Sequence, residues 1–200
     1  MKILIPVKML SIFFLLAGTA LLPAQVMENF EGLPVFSVEG TCNEVVIQSV
    51  KDPAKADNSV LQLRWPANRA SHIAGQYQKP GVVLAEAPGN YEITAKINAE
   101  KVGEECANLA LRIVDAQNET FQLRVPLEKN GEPGWTKVTW ELDTVNPNTH
   151  GVASWGGLSN GKIDLPVRLL GFAINFKDSN TSGGALLLDD ICVTKSSPVK

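Results

Sequence analysis

The residues of this chain that could do chemistry form a short set. Glu141 and Asp143 stand two positions apart, the same-face spacing at which two strand carboxylates could share acid–base or nucleophilic work on a glycosidic bond. No third acid follows at the next same-face positions, and the surrounding Trp140 and Thr144-Val145 read as an ordinary strand end. A Tyr/His proton-abstracting pair has only Tyr77, Tyr91, His72 and His150 to draw on, with His72 and Tyr77 the closest in sequence. No Gly-x-Ser-x-Gly elbow, phosphate loop or histidine-rich metal motif occurs. Cys42, Cys106 and Cys192 are odd in number, so at least one thiol stays free or pairs between molecules. Their spacing fits no zinc pattern, and they read as small buried hydrophobes. What remains is a set of planar or forked hydrogen-bonding side chains on strand faces: Gln62, Arg64, Gln76, Arg112, Gln122 and Arg124. Such groups hold a partner; they do not by themselves transform one.

The elements that carry them are short and alternate strictly. Leu61, Leu63 and Trp65 interleave with Gln62 and Arg64, and Tyr91, Ile93, Ala95 and Ile97 with Glu92, Thr94 and Lys96. The same pattern runs through Leu109 to Ile113, Phe121 to Val125, Val138 to Leu142 and Phe172 to Phe176. Period-two hydrophobicity means strands with one face buried and one wet. Between them lies turn chemistry: Asp57-Asn58-Ser59, Pro88-Gly89-Asn90, Asp115 to Asn118, Asn130 to Gly134 and Asp178 to Gly184. About eight to ten short strands, with no amphipathic helix between them, predict an all-β antiparallel sandwich. Residues 146 to 164 are rich in Asn, Gly and Ser and weakly periodic; they read as a long loop carrying His150 and Trp155.

Lys2 and Lys8, the apolar run Met9 to Leu22 and the small residues up to Ala24 have the layout of a secretory signal peptide over 1–24. The expected mature domain is 25–194, exported and without a membrane span, with a flexible tail at 195–200. The chain holds 18 Lys+Arg against 21 Asp+Glu; without Lys2 and Lys8 the basic count falls to 16. This excess of acid argues against nucleic acid as a partner. Asn118-Glu-Thr120 and Asn180-Thr-Ser182 fit the glycosylation pattern.

Three segments together resemble a known family. They are the opening Glu28-Asn-Phe-Glu31, the strand Gly134-Trp-Thr-Lys-Val-Thr-Trp-Glu-Leu142, and Leu169 to Phe176 followed by Ala185-Leu-Leu-Leu-Asp-Asp-Ile191. They are similar to jelly-roll, galactose-binding-domain-like carbohydrate-binding modules, found attached to or secreted beside polysaccharide-degrading enzymes. The resemblance implies a jelly roll that binds a polysaccharide or oligosaccharide without cleaving it. It also implies a structural Ca2+ tying the first and last strands together, with Glu31 and one of Asp189 or Asp190 at the ligand positions. Calcium prefers six to eight oxygens, and an inward Asp on an apolar strand otherwise needs a cap or backbone N–H partners. Sugar recognition needs aromatic planes for C–H faces, and forked donors and acceptors for paired hydroxyls. The six Gln and Arg residues supply the latter, and Trp155, then Tyr77, the former. Trp65 and Trp140 fall on core registers, and Trp135 matches the family's structural Trp. The competing expectations are a structural or adhesive sandwich that binds protein or cell surface, and a small polysaccharide lyase or hydrolase.

Overall fold

The computed structural model describes residues 25–31, 36–39, 45–67, 71–78, 81–127, 134–147, 152–178 and 182–196. The leader, Cys42, His150 and residues 197–200 lie outside them. The strands are β1 (Gln25–Glu28), β2 (Phe36–Glu39), β3 (Val46–Asp52), β4 (Lys55–Trp65), β5 (His72–Tyr77), β6 (Val83–Ala85) and β7 (Asn90–Lys101). They continue as β8 (Cys106–Val114), β9 (Glu119–Pro126), β10 (Trp135–Asp143), β11 (Ala153–Gly156), β12 (Val167–Phe176) and β13 (Gly184–Ser196). A six-stranded sheet has the order β10-β7-β13-β4-β3, with β1 also on β13. A seven-stranded sheet has the order β11-β9-β8-β12-β5-β2, with β6 on β12. All pairings are antiparallel. Among the described residues no helix is long and apolar enough to cross a membrane.

The alternation seen in the sequence becomes the core. Leu61, Leu63, Trp65, Ile93, Ile97, Trp140 and Leu142 of the six-stranded sheet face Leu109, Leu111, Ile113, Phe121, Leu123, Phe172 and Ile174 of the other. Burying each such side chain contributes about 1.5–3 kcal/mol. Phe30 extends this layer from the amino-terminal end. It is fully buried, and its ring meets Phe172 edge-on at 6.3 Å.

Three details differ from the sequence expectations. Strands of three or four residues (β1, β2, β6 and β11) raise the count above eight to ten, because each is too short to show a period. The stretch 146–164 is not loop throughout: β11 forms within it and pairs with β9 from Ala153–Gln122 to Gly156–Glu119. Finally, β13 runs on to Ser196, with Lys195 opposite Tyr91, where a tail was expected.

Candidate ligand-binding face

On the outer side of the seven-stranded sheet, strand register alone brings distant residues into rows. Gln122, Arg112, Gly171 and Gln76 are cross-strand neighbours on β9, β8, β12 and β5. Two residues along lie Arg124, Ala110, Ala173 and Ala74, and two further Asn108, Asn175 and His72. The three alanines form a small cluster of their own, each fully buried. They lie, closed to solvent, between two rows of longer polar side chains about 13 Å apart, four residues at roughly 3.3 Å each. The Asn175 amide donates to the Asn108 side-chain carbonyl across the far row. Gly171 keeps the sheet closed beneath: a Cβ there would collide with the Gly75 carbonyl of β5.

Trp155 stands at one end of this surface, on β11 opposite Thr120. The Arg112 guanidinium lies 5.1 Å from its ring centroid, in cation–π range. Arg112 Nε donates to Gln122 Oε1 at 3.0 Å. Arg112 and Gln122 are each only 4% exposed, whereas Trp155 is 36% exposed. A buried guanidinium thus supports one side of an indole that is still partly open to solvent. Arg124 is exposed, and Gln76 is partly so.

A clamp holds this end of the sheet. Glu119 is fully buried. Its carboxylate accepts the Asn160 N–H at 2.8 Å and the Gly161 N–H at 2.9 Å, and it bonds the Ser154 side chain. Burial pushes its pKa up, but these hydrogen bonds outweigh burial and hold it below the usual carboxylate range. Asp115 adds a second tie. Its Oδ1 accepts the N–H of Gln117 and of Glu119, each at 2.8 Å, and its Oδ2 accepts the Asp164 N–H at 3.1 Å. Gly157 has a φ of 49°, and a Cβ there would strike the backbone of residues 117–119. The segment after Trp155 is therefore bound tightly against the β8–β9 turn.

The sequence-predicted residues separate. Gln76, Arg112, Gln122, Arg124 and Trp155 share the outer side of one sheet. Gln62 and Arg64 belong to β4 of the other sheet, beside Gln48 and Val46, on the opposite side of the sandwich. Alternation fixes which side of a strand is wet but not which sheet the strand joins. Arg112 and Gln122 are not wet as expected, because β11 continues the sheet past β9 and sets Trp155 over Arg112. Tyr77 is also displaced from its expected role as a surface stacking plane. It follows the outward Gln76, packs against the main core and donates its hydroxyl to Glu28 Oε2 at 3.3 Å. Burial, then the Glu28 charge and this bond, raise its pKa far above the usual phenol value. The buried Glu119, the buried alanine cluster and β11 were not anticipated. The turn chemistry at Asp115 to Asn118 was the one visible sign of the clamp.

At the junction of the first and last strands, β13 exchanges its neighbour β4 for β1 around Asp189-Asp190, where its pairing with β7 also shifts. Asp190 has a φ of 49° and an ion pair with Lys96 at 2.7 Å, so its carboxylate turns away from Asp189's partners. Asp189 is 6% exposed and accepts from Asn58 Nδ2 at 2.9 Å and the Asp190 N–H at 2.8 Å. Burial raises its pKa above the usual value. Glu31 Oε1 accepts the Ser59 N–H at 2.8 Å. Glu31 and Asp189 therefore approach the same two-residue segment, Asn58-Ser59. Among the described residues no three His, Cys, Asp or Glu side chains gather as a metal cluster. A cation here would draw on these two carboxylates, the Asn58 amide oxygen and backbone carbonyls. Cys106 and Cys192 are both free thiols, and burial raises the pKa of Cys106 to about 11.

No family model and no curated protein sequence matches the chain. Solved structures do resemble it. A family 11 carbohydrate-binding module from a cellulosomal cellulase of Clostridium thermocellum superimposes with a TM-score of 0.55 at 11% identity, over 87% of this chain and 95% of that one. The same family's module, in complex with a β-1,3-1,4-mixed-linked tetrasaccharide, gives a TM-score of 0.53 at 12% identity, over 86% and 96%. An exo-β-agarase gives 0.52 at 13% identity, over 85% of this chain and 25% of the agarase. The chain thus has the jelly-roll β-sandwich fold of carbohydrate-binding modules, over most of its length.

Proposed function

We propose that this protein is a secreted, non-catalytic module that binds a polysaccharide or oligosaccharide on the outer side of its seven-stranded sheet. The observation that carries the reading is Trp155. Its ring rests on the buried Arg112 guanidinium, which Gln122 holds in turn, so the plane is fixed before any ligand arrives. A preset aromatic plane suits the C–H face of a pyranose, since little side-chain entropy is lost on binding. Farther along the same side of the sheet, Arg124 of β9 and Gln76 of β5 offer forked hydrogen bonds to paired hydroxyls. Polysaccharide-degrading enzymes are the partners this role implies. A structural calcium between Glu31 and Asp189 forms part of the same proposal; it would fasten the strand ends and take no part in binding sugar.

Retention on insoluble polysaccharides tests the reading, with a β-1,3-1,4-mixed-linked tetrasaccharide as a soluble probe. Trp155→Ala is expected to weaken binding at least about tenfold, the loss of roughly one good stacking contact. Unchanged retention by this variant, or no glycan bound by the parent protein, rejects the reading. A reducing-sugar and unsaturated-product assay is expected to detect no turnover.

A further inference from the structure

The segment that the Glu119 clamp holds contains a reactive pair, Asn160-Gly161. In such a pair the glycine backbone nitrogen can attack the asparagine side-chain amide carbon, and a glycine has no Cβ to hinder the approach. Asn160 is exposed, so water reaches its amide. It stands between Ser159 and Gly161, which both have left-handed backbones, with φ of 48° and 67°.

Both reacting groups are engaged in the folded chain. The Gly161 N–H donates to Glu119 Oε1 at 2.9 Å. The Asn160 side-chain oxygen accepts the Lys162 N–H at 2.7 Å, an Asx turn, while the Asn160 backbone N–H donates to Glu119 Oε2 at 2.8 Å. Attack requires the Gly161 nitrogen to give up its proton, and negative charge on that nitrogen is disfavoured beside the Glu119 carboxylate. Attack also requires the amide carbon to swing onto the nitrogen, which the bond to Lys162 opposes. The pair therefore reacts through the open state of the segment, whose population the clamp keeps small.

We propose that Asn160-Gly161 is a deamidation site held latent by Glu119, and that its isoaspartyl product releases the clamp. The Gly161 nitrogen loses its proton to solvent and bonds to the Asn160 amide carbon, and ammonia leaves, closing a succinimide. Water then opens this ring. Opening at the side-chain carbonyl gives aspartate with the original backbone. Opening at the main-chain carbonyl gives isoaspartate, with the main chain rerouted through the Cβ of residue 160. That route adds one atom between the Asn160 Cα and the Gly161 nitrogen, so the two N–H groups no longer match the two oxygens of Glu119. It also frees a new carboxylate beside the buried one. The site and its release do not depend on the glycan reading; a loss of binding on release rests on it.

The full chain and a synthetic peptide of residues 157–164 would be incubated at neutral pH. Residue 160 would be followed by peptide mapping that separates aspartate from isoaspartate. Asn160 is expected to react at least about tenfold more slowly in the full chain than in the peptide. Glu119→Gln should speed the loss about tenfold over the parent, and Gly157→Ala, which alters neither reacting residue nor Glu119, at least several-fold. Protected amides at Leu111 and Ile174 check that each variant is folded. The isoaspartyl protein should exchange its Gly161 amide faster than Asn160→Asp, which adds the charge without the extra main-chain atom. A full-chain rate equal to the peptide's, a rate unmoved in both folded variants, or aspartate formed without isoaspartate overturns the latent site. Equal Gly161 exchange in the isoaspartyl protein and Asn160→Asp overturns the release. Faster Gly161 exchange with unchanged polysaccharide retention supports the site and its release and counts against the Trp155 face.

Discussion

Replacing Glu119 with glutamine tests whether the platform is held by a buried charge. The native carboxylate receives two backbone N–H groups and bonds the Ser154 side chain, with no exposure to water. Glutamine keeps one acceptor oxygen but turns an NH2 group toward one of the two N–H donors. At least one charge-assisted bond, worth about 1.5–3 kcal/mol, is lost, and a buried donor is left facing another donor. Even the lower figure multiplies the open population of the 157–161 segment by about tenfold. Hydrogen exchange at the Asn160 and Gly161 amides should speed up by at least that factor, while core amides such as those of Leu111 and Ile174 stay protected. Glycan affinity should fall with it, because Trp155 lies on the strand that leads into this segment. The pH dependence follows from the lowered pKa. Glu119 stabilises the clamp above its unfolded value of about 4.3, and the contribution is lost as pH falls through its lower folded value. Binding should therefore hold at pH 5 and weaken below about pH 4, ahead of global unfolding. Unchanged amide exchange at Asn160 and Gly161 in Glu119→Gln would refute the clamp.

Two further outcomes are expected. Gly157→Ala should destabilise the segment by about 1–3 kcal/mol, through the strained φ and the collision with the 117–119 backbone, read as a lower melting temperature and a weaker Trp155 contribution to binding. At the strand junction, millimolar calcium should raise the melting temperature by several degrees and a chelator should reverse it, as expected for a ligand at about 100 times its Kd. Asp189→Asn should abolish that rise. In chelator the parent should gain stability as pH falls from neutrality: burial raises the folded pKa of Asp189, so its ionised form costs stability above that pKa, and the cost fades as pH falls through it. A melting temperature indifferent to both calcium and chelator would remove calcium from the account.

How far the sequence reaches depends on the range of each interaction. The side of a strand that is buried is a local property. Leu61, Leu63 and Trp65, or Phe172 and Ile174, declared it by alternation, and their burial agrees. The sheet a strand joins is decided by pairings between residues far apart in sequence. Arg64 and Arg112 look alike in local pattern, yet they lie on opposite sides of the molecule because β4 pairs with β13 and β8 with β12. Gln76 illustrates the same limit from the other direction: nothing near it in the chain points to Gly171, but register sets them side by side.

Burial at the site was hidden for a related reason. Arg112 reads as a solvated residue because its own strand makes it one; only the addition of β11, a strand of four residues with no period to detect, places an indole over it. That strand depends in turn on Glu119 and Asp115, two acids whose sequence context is an ordinary turn. A buried carboxylate carries a desolvation cost that a surface turn would not incur. Here the cost is offset by N–H donors that also order the chain beside Trp155, so the charge is tolerated where it positions the ring. The proposed binding surface would therefore be shaped by residues outside its proposed ligand contacts. Substitutions at Glu119, Asp115 and Gly157 should alter binding while leaving every proposed ligand contact in the sequence unchanged, which distinguishes a positioned platform from a fortuitously exposed tryptophan.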